Sequence, residues 1–141
     1  MARSVNEAFA RTAVACFAAQ MDPTLEELGD IRTAVSEAVT NCIVHAYPEK
    51  IGNITLRCRI LKDHVLDIVV KDKGIGIPKE SQSRIWDRFY KTDISRGKDK
   101  KGTGLGLSIT KEIIASHGEH INVVSTEGVG TEFIFSLPSS A

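Results

Sequence analysis

The sequence carries no surplus of charge. Its 18 Lys and Arg residues are matched by 18 Asp and Glu. A protein that grips nucleic acid through phosphates shows a basic excess or stripe, so direct nucleic-acid binding is not expected. No apolar run approaches the ~18 residues of a membrane span, and the opening MARSVNEAFARTAV has no signal-peptide pattern. Cysteine is scarce. Cys16, Cys42 and Cys58 are odd in number, widely spaced and set in apolar stretches, which reads as buried thiols in a reducing cytoplasm and excludes a disulfide framework. The four histidines, at 45, 64, 117 and 120, have no metal-ligand spacing with cysteine or with each other. Repeats and low-complexity tracts are lacking too. What remains is 141 residues, enough for one globular domain over 1–141 with a sizeable core.

Apolar spacing then gives the elements. Ser4 to Gln20 reads as a helix with Val5, Phe9, Ala13, Cys16 and Phe17 as its stripe. Asp22-Pro23 looks like an N-cap and first helical residue. A long helix follows to about Ala46, with Leu25, Leu28, Ile31, Val35, Val39, Cys42 and Ile43 as its stripe, Gly29 as a weak point and Pro48 as its stop. Asn53 to Leu61 alternates like a strand, and Val65 to Lys71 is apolar on both faces except at Asp67, as a central strand would be. A Gly-rich loop, a short helix from Ser81 to Phe89 and a long basic loop from Lys91 to Gly106 come next. A helix from about Leu107 to His117 ends at Gly118. Ile121 to Ser125 and Thr131 to Leu137 form a last hairpin. Helices and hairpins cluster separately. The expected class is therefore α+β, a two-layer sandwich with helices on one face of a mixed, mostly antiparallel sheet. A structureless loop of about 15 residues in a compact domain is unusual and is often an active-site lid.

Four short motifs bear polar chemistry. Glu37 and Asn41, four apart on a helix, share one face, with His45 one turn further on. A carboxylate can act as a general base and an Asn carbonyl suits Mg²⁺, yet a solvated polar face would look the same. In Asp72-Lys73-Gly74-Ile75-Gly76-Ile77-Pro78 a carboxylate at a strand end can accept from an exocyclic amine such as adenine N6. Gly74 and Gly76 let the backbone approach a ligand, and an ordinary turn would also place Asp and Gly here. Gly102-Thr103-Gly104-Leu105-Gly106-Leu107 directly precedes a helix, where exposed N–H groups and the helix dipole attract an anion. Lys91, Arg96, Lys98, Lys100 and Lys101 add positive charge before it. The spacing is neither a dinucleotide fingerprint nor a Walker A loop, and protein-kinase signatures are missing. Gly128-Val129-Gly130-Thr131 joins the last strands as a turn.

The order E-x-x-x-N, D-x-G-x-G, G-x-G-x-G and G-x-G-T, running through about residues 30 to 138, resembles the GHKL superfamily of gyrase-type ATPases, ninety-kilodalton heat-shock chaperones, mismatch-repair ATPases and histidine kinases. The runs IWDRFYKTD and GTGLGLSITKEIIASHGEHINVVSTEGVGTEFIFSLP are similar to histidine kinases. MDPTLEELGDIRTAVSEAVTNCIVHAY is similar to the anti-sigma factor serine kinases, above all the anti-sigma-F branch of sporulating bacilli. That family usually opens with a short strand, whereas here the first helix begins almost at once. The resemblance implies that Asp72 binds adenine N6, with Gly74 and Gly76 beside it and Thr131 acting through water. It implies that Asn41 holds Mg²⁺, and that Lys101, Gly102, Thr103, Gly104, Leu105, Gly106 and Leu107 line the phosphates beneath an ATP lid over about 91–106. Glu37 would orient or deprotonate the attacking hydroxyl.

The function so implied is an anti-sigma factor that inhibits a sporulation sigma factor and, with ATP and Mg²⁺, phosphorylates a serine on an anti-anti-sigma protein. A homodimer through the first helix and sheet edge goes with it. Two alternatives stand beside it. A histidine-kinase-type catalytic domain would need a helical phosphoacceptor domain, for which the 141 residues leave no room. A non-catalytic module switched by ATP would not need the carboxylate of Glu37.

Overall fold

Two hairpins build the sheet of the computed structural model, which describes residues 4–42, 52–62, 65–87 and 106–138. They are β1 (Ile54–Leu61) with β2 (Val65–Asp72), and β3 (Ile121–Thr126) with β4 (Gly130–Pro138). Their order is β1-β2-β4-β3. All three pairings are antiparallel, so the mixed sheet allowed by the sequence becomes a wholly antiparallel one among the described residues. β2 is central because it is apolar on both sides: Leu66, Ile68 and Val70 are buried on one face and Val69 on the other. On the outer face Asp67 lies opposite Arg59 and accepts from its Nη2 at 2.9 Å. β1 is an edge strand, and its end at Ile60 and Leu61 is exposed.

Among the described residues three α-helices cover one face: α1 (Ser4–Ala18), α2 (Leu25–Asn41) and α3 (Gly106–Ser116). α2 lies between the other two. Ile31, Ala34, Val35, Ala38 and Val39 of α2 close the core with Leu66, Ile68, Val70, Phe135, Leu137 and Ile114. Gly29 does not interrupt α2. Among the described residues no helix is long and apolar enough to cross a membrane.

Several local expectations change. α2 is capped by Thr24, not Asp22. Thr24 Oγ1 accepts from Glu27 N–H at 3.0 Å, and Thr24 N–H donates to Glu27 Oε1 at 2.8 Å, a reciprocal capping box. Asp22 instead takes a left-handed backbone, φ 48°, which ends the 3-10 turn Ala19–Met21. Leu25, first in the helix, is 89% exposed and lies outside the stripe. α1 buries Val14, Ala15 and Ala18, while Phe9, Ala13 and Cys16 of the expected stripe face solvent. Of the three thiols read as buried, Cys42 is buried, Cys58 half-buried and Cys16 exposed. The expected helix after Ser81 is a 3-10 turn, Lys79–Ser81, followed by turns through Trp86. Gly118 closes α3 as read, at φ 76°, donating to Ala115 O at 3.0 Å. The expected continuation of α2 to Ala46, with Ile43 and His45, and the lid up to residue 105 lie outside the described residues.

Candidate nucleotide site

Asp72 ends β2 with its side chain on the helix-covered face, 4% exposed. A carboxylate so deep needs hydrogen-bond partners. Oδ1 accepts from Gly74 N–H at 2.9 Å and from Thr131 N–H at 3.2 Å. Thr131, on β4, is buried directly opposite Asp72 in register. The loop after Asp72 is clamped to the β3–β4 turn. Gly128 N–H donates to Ile75 O at 2.7 Å, and Ile77 N–H donates to Ser125 Oγ at 2.8 Å. Gln82 Nε2 donates to Ile77 O and Ser125 O at 3.0 and 3.1 Å. Two glycines are obligatory here. Gly76 has φ 74°, and a Cβ on it would strike the Thr126 carbonyl. A Cβ on Gly130 would strike the Asp72 carbonyl.

The C-terminal end of α2 meets this corner at Cys42. Glu37 and Asn41 are both half-buried on α2. Cys42, next to Asn41 and 1% exposed, hydrogen-bonds the Asp72 carboxylate. Burial, and then the Asp72 charge and that hydrogen bond, push the Cys42 thiol well above its ordinary value, so it stays protonated and donates. This contact ties α2 to the end of β2. Burial also raises Glu37, with Glu7 of α1 adding like charge. Glu7 in turn accepts from Ser36 Oγ and pairs with Arg11 Nε at 3.8 Å.

α3 starts at Gly106, with Leu107 half-buried in its first turn. Its far end is held to α2 by His117 Nε2 and Asp30 Oδ2, 2.8 Å apart. Lys101, Gly102, Thr103, Gly104 and Leu105 lie outside the described residues. The structure thus gathers Asp72, Gly74, Gly76 and Thr131 at one corner, and Cys42, the residue after Asn41, reaches Asp72 there. Ser125, Gln82, Cys42 and Glu7 do not emerge from the sequence reading. Ser125 alone carries a local signal, because it directly precedes the turn that leads to Gly130-Thr131.

A concavity of about 420 Å³ lies on the opposite, solvent face of the sheet, lined by Thr55, Arg57, Val69, Lys71, Lys73 and Glu132. Strand alternation turns these side chains away from Asp72, so it is separate from the corner described above.

Residues 27–141 match the family described as histidine kinase-, DNA gyrase B- and HSP90-like ATPase. The anti-sigma F factor of Caldanaerobacter subterraneus is 45% identical over 93% of this chain and 84% of its own. Among solved structures, the histidine kinase domain of the Erythrobacter litoralis EL346 blue-light activated histidine kinase is 28% identical, with a TM-score of 0.61 over 82% of this chain and 46% of that one. Full-length ShkA, solved in complex with AMPPNP, is 26% identical with a TM-score of 0.66 over 81% of this chain and 22% of that one. The chain belongs to the histidine kinase-, DNA gyrase B- and HSP90-like ATPase family and, within it, to the anti-sigma F factors.

Proposed function

We propose that this anti-sigma factor is a Mg-ATP-dependent protein serine kinase. In this reading it binds a sporulation sigma factor and phosphorylates a serine on an anti-anti-sigma protein in the cytoplasm. The observation that carries the nucleotide part is the buried Asp72 carboxylate, held by two backbone N–H groups at the open end of β2. A carboxylate fixed in this way, with Gly74 and Gly76 beside it, fits an exocyclic amine. Mg²⁺ keeps water and substrate phosphates as most of its ligands, so the single amide oxygen of Asn41 fits it. When bound, ATP supplies the phosphoryl group and Mg²⁺ screens its charge. Glu37, half-buried and with its pKa raised above the ordinary carboxylate value by burial and then by Glu7, suits a base that takes the proton of an incoming serine hydroxyl. The start of α3 at Gly106, with Leu107 and the preceding Lys101 to Leu105, offers N–H groups to the phosphates.

The partner part rests on the anti-sigma F relatives. Exposed Phe9 on α1, with Ile60 and Leu61 at the sheet edge, supports self-association through these elements. Asp72→Asn tests the nucleotide part by titration calorimetry. An amide can turn a donor toward the base amine, and losing a charged hydrogen bond costs ~1.5–3 kcal/mol, roughly 10- to 150-fold in affinity. Unchanged ATP affinity would remove Asp72 from the site.

A further inference from the structure

Ser125, Thr131 and Asp72 form a row across β3, β4 and β2, each directly opposite the next. Ser125 Oγ has three polar neighbours: Ile77 N at 2.8 Å, Gly130 O at 2.9 Å and Thr131 Oγ1 at 2.8 Å. A hydroxyl has one proton and two lone pairs. The Ile77 N–H takes one lone pair. The Gly130 carbonyl can only accept, so it takes the proton. The remaining lone pair faces Thr131 Oγ1, which must then give its own proton. Every capacity of Ser125 is filled in this arrangement, and Thr131 keeps only lone pairs for anything else it meets.

We propose that Ser125 is a positioning residue that sets the base selectivity of this site. By engaging the Thr131 proton, it makes the Asp72–Thr131 corner a surface of acceptors, which takes a 6-aminopurine and rejects a 6-oxopurine. The inference rests on the reading of Asp72 as the partner of the base. An amine at purine C6 brings donors to that corner. A carbonyl there sets lone pairs against lone pairs and leaves buried polar groups unpaired. Without the Ser125 hydroxyl, the Thr131 hydroxyl can turn and donate, directly or through one water.

The test is the ratio of ATP to inosine triphosphate affinity, measured by calorimetry on the full chain. Ser125→Ala is expected to narrow that ratio by about 2- to 12-fold, one neutral hydrogen bond, and Ser125→Thr to restore it. In a Thr131→Val background, Ser125→Ala should leave the ratio where Thr131→Val put it. If Ser125→Ala does not fold, Ser125→Cys, whose thiol is a weak acceptor, should narrow the ratio in the same sense. Equal weakening of both nucleotides would show a merely structural Ser125 and overturn the inference, as would a ratio shift that persists beside Thr131→Val. Asp72→Asn separates the two levels. If it weakens ATP while Ser125→Ala leaves the ratio fixed, only the role of Ser125 falls. If it leaves ATP affinity unchanged, the site reading falls and the inference with it.

Discussion

Glu37 is where structure and proposed chemistry meet most closely. Burial, and next the Glu7 carboxylate, raise its pKa above the ordinary 4.5. The folded chain therefore holds that proton more tightly than the unfolded chain does. Stability falls as pH rises from the ordinary value through the raised one, and the cost is fully present above the raised value. Glu37→Gln removes it. Thermal unfolding should show the variant slightly more stable than the parent at neutral pH, with the difference vanishing below about pH 4. The same change should spare ATP binding and cut phosphoryl transfer by ~10²–10⁴-fold, as loss of a general base does. Near-normal turnover would take Glu37 out of that role. Asn41→Ala should instead weaken binding in a Mg²⁺-dependent way, and an unchanged Mg²⁺ titration would contradict the metal assignment. Glu37, Asn41, Asp72 and Thr131 are candidates that short sequence motifs mark. Their supports are not so marked. Ile77 reaches Ser125 across 48 residues and Asp72 reaches Thr131 across 59, and only strand register creates such contacts.

At the scale of elements, the loop after β2 depends on backbone that only glycine adopts freely. Gly76 and Gly128 have similar φ, 74° and 82°, but only Gly76 would place a Cβ against another strand's carbonyl. Gly128→Ala should therefore cost about 1–2 kcal/mol, the left-handed backbone alone. Gly76→Ala should cost clearly more and should weaken ATP binding with it. Urea midpoints and calorimetry on both variants check this, and equal losses would mean the loop yields around Gly76. Strand and helix positions were largely readable from apolar period, since β2 and the α2 stripe declare their burial. The face of α1 was not. The second half of that helix, Ala13 to Ala18, is apolar all round, so its sequence supports two stripes. The structure buries the one whose small residues, Val14 and Ala18, lie in the core with Ala34 and Ala38 of α2, leaving Phe9 outside. The α2 cap was misread for a related reason: Asp22 and Thr24 are both good caps, and only the left-handed turn at Asp22 decides between them.

For the molecule as a whole, the two-layer arrangement sets one face of an antiparallel sheet against helices α1, α2 and α3 and brings the end of α2, the end of β2 and the start of β4 to a single corner. That convergence serves nucleotide binding whichever acceptor the proposed transfer uses. The solved relatives at 26–28% identity include histidine kinases, while the sequence relatives are anti-sigma F factors. A serine hydroxyl has a high pKa and benefits from a neighbouring carboxylate base, the role proposed for Glu37, whereas a neutral imidazole is already nucleophilic and needs a base less. The most direct measurement is to incubate the chain with γ-labelled ATP, Mg²⁺ and a purified anti-anti-sigma protein, then treat the separated products with mild acid and with alkali. The serine-kinase account expects label on the partner that survives acid and is lost in alkali. Label that is lost in acid and survives alkali, or that stays on this chain, would contradict it.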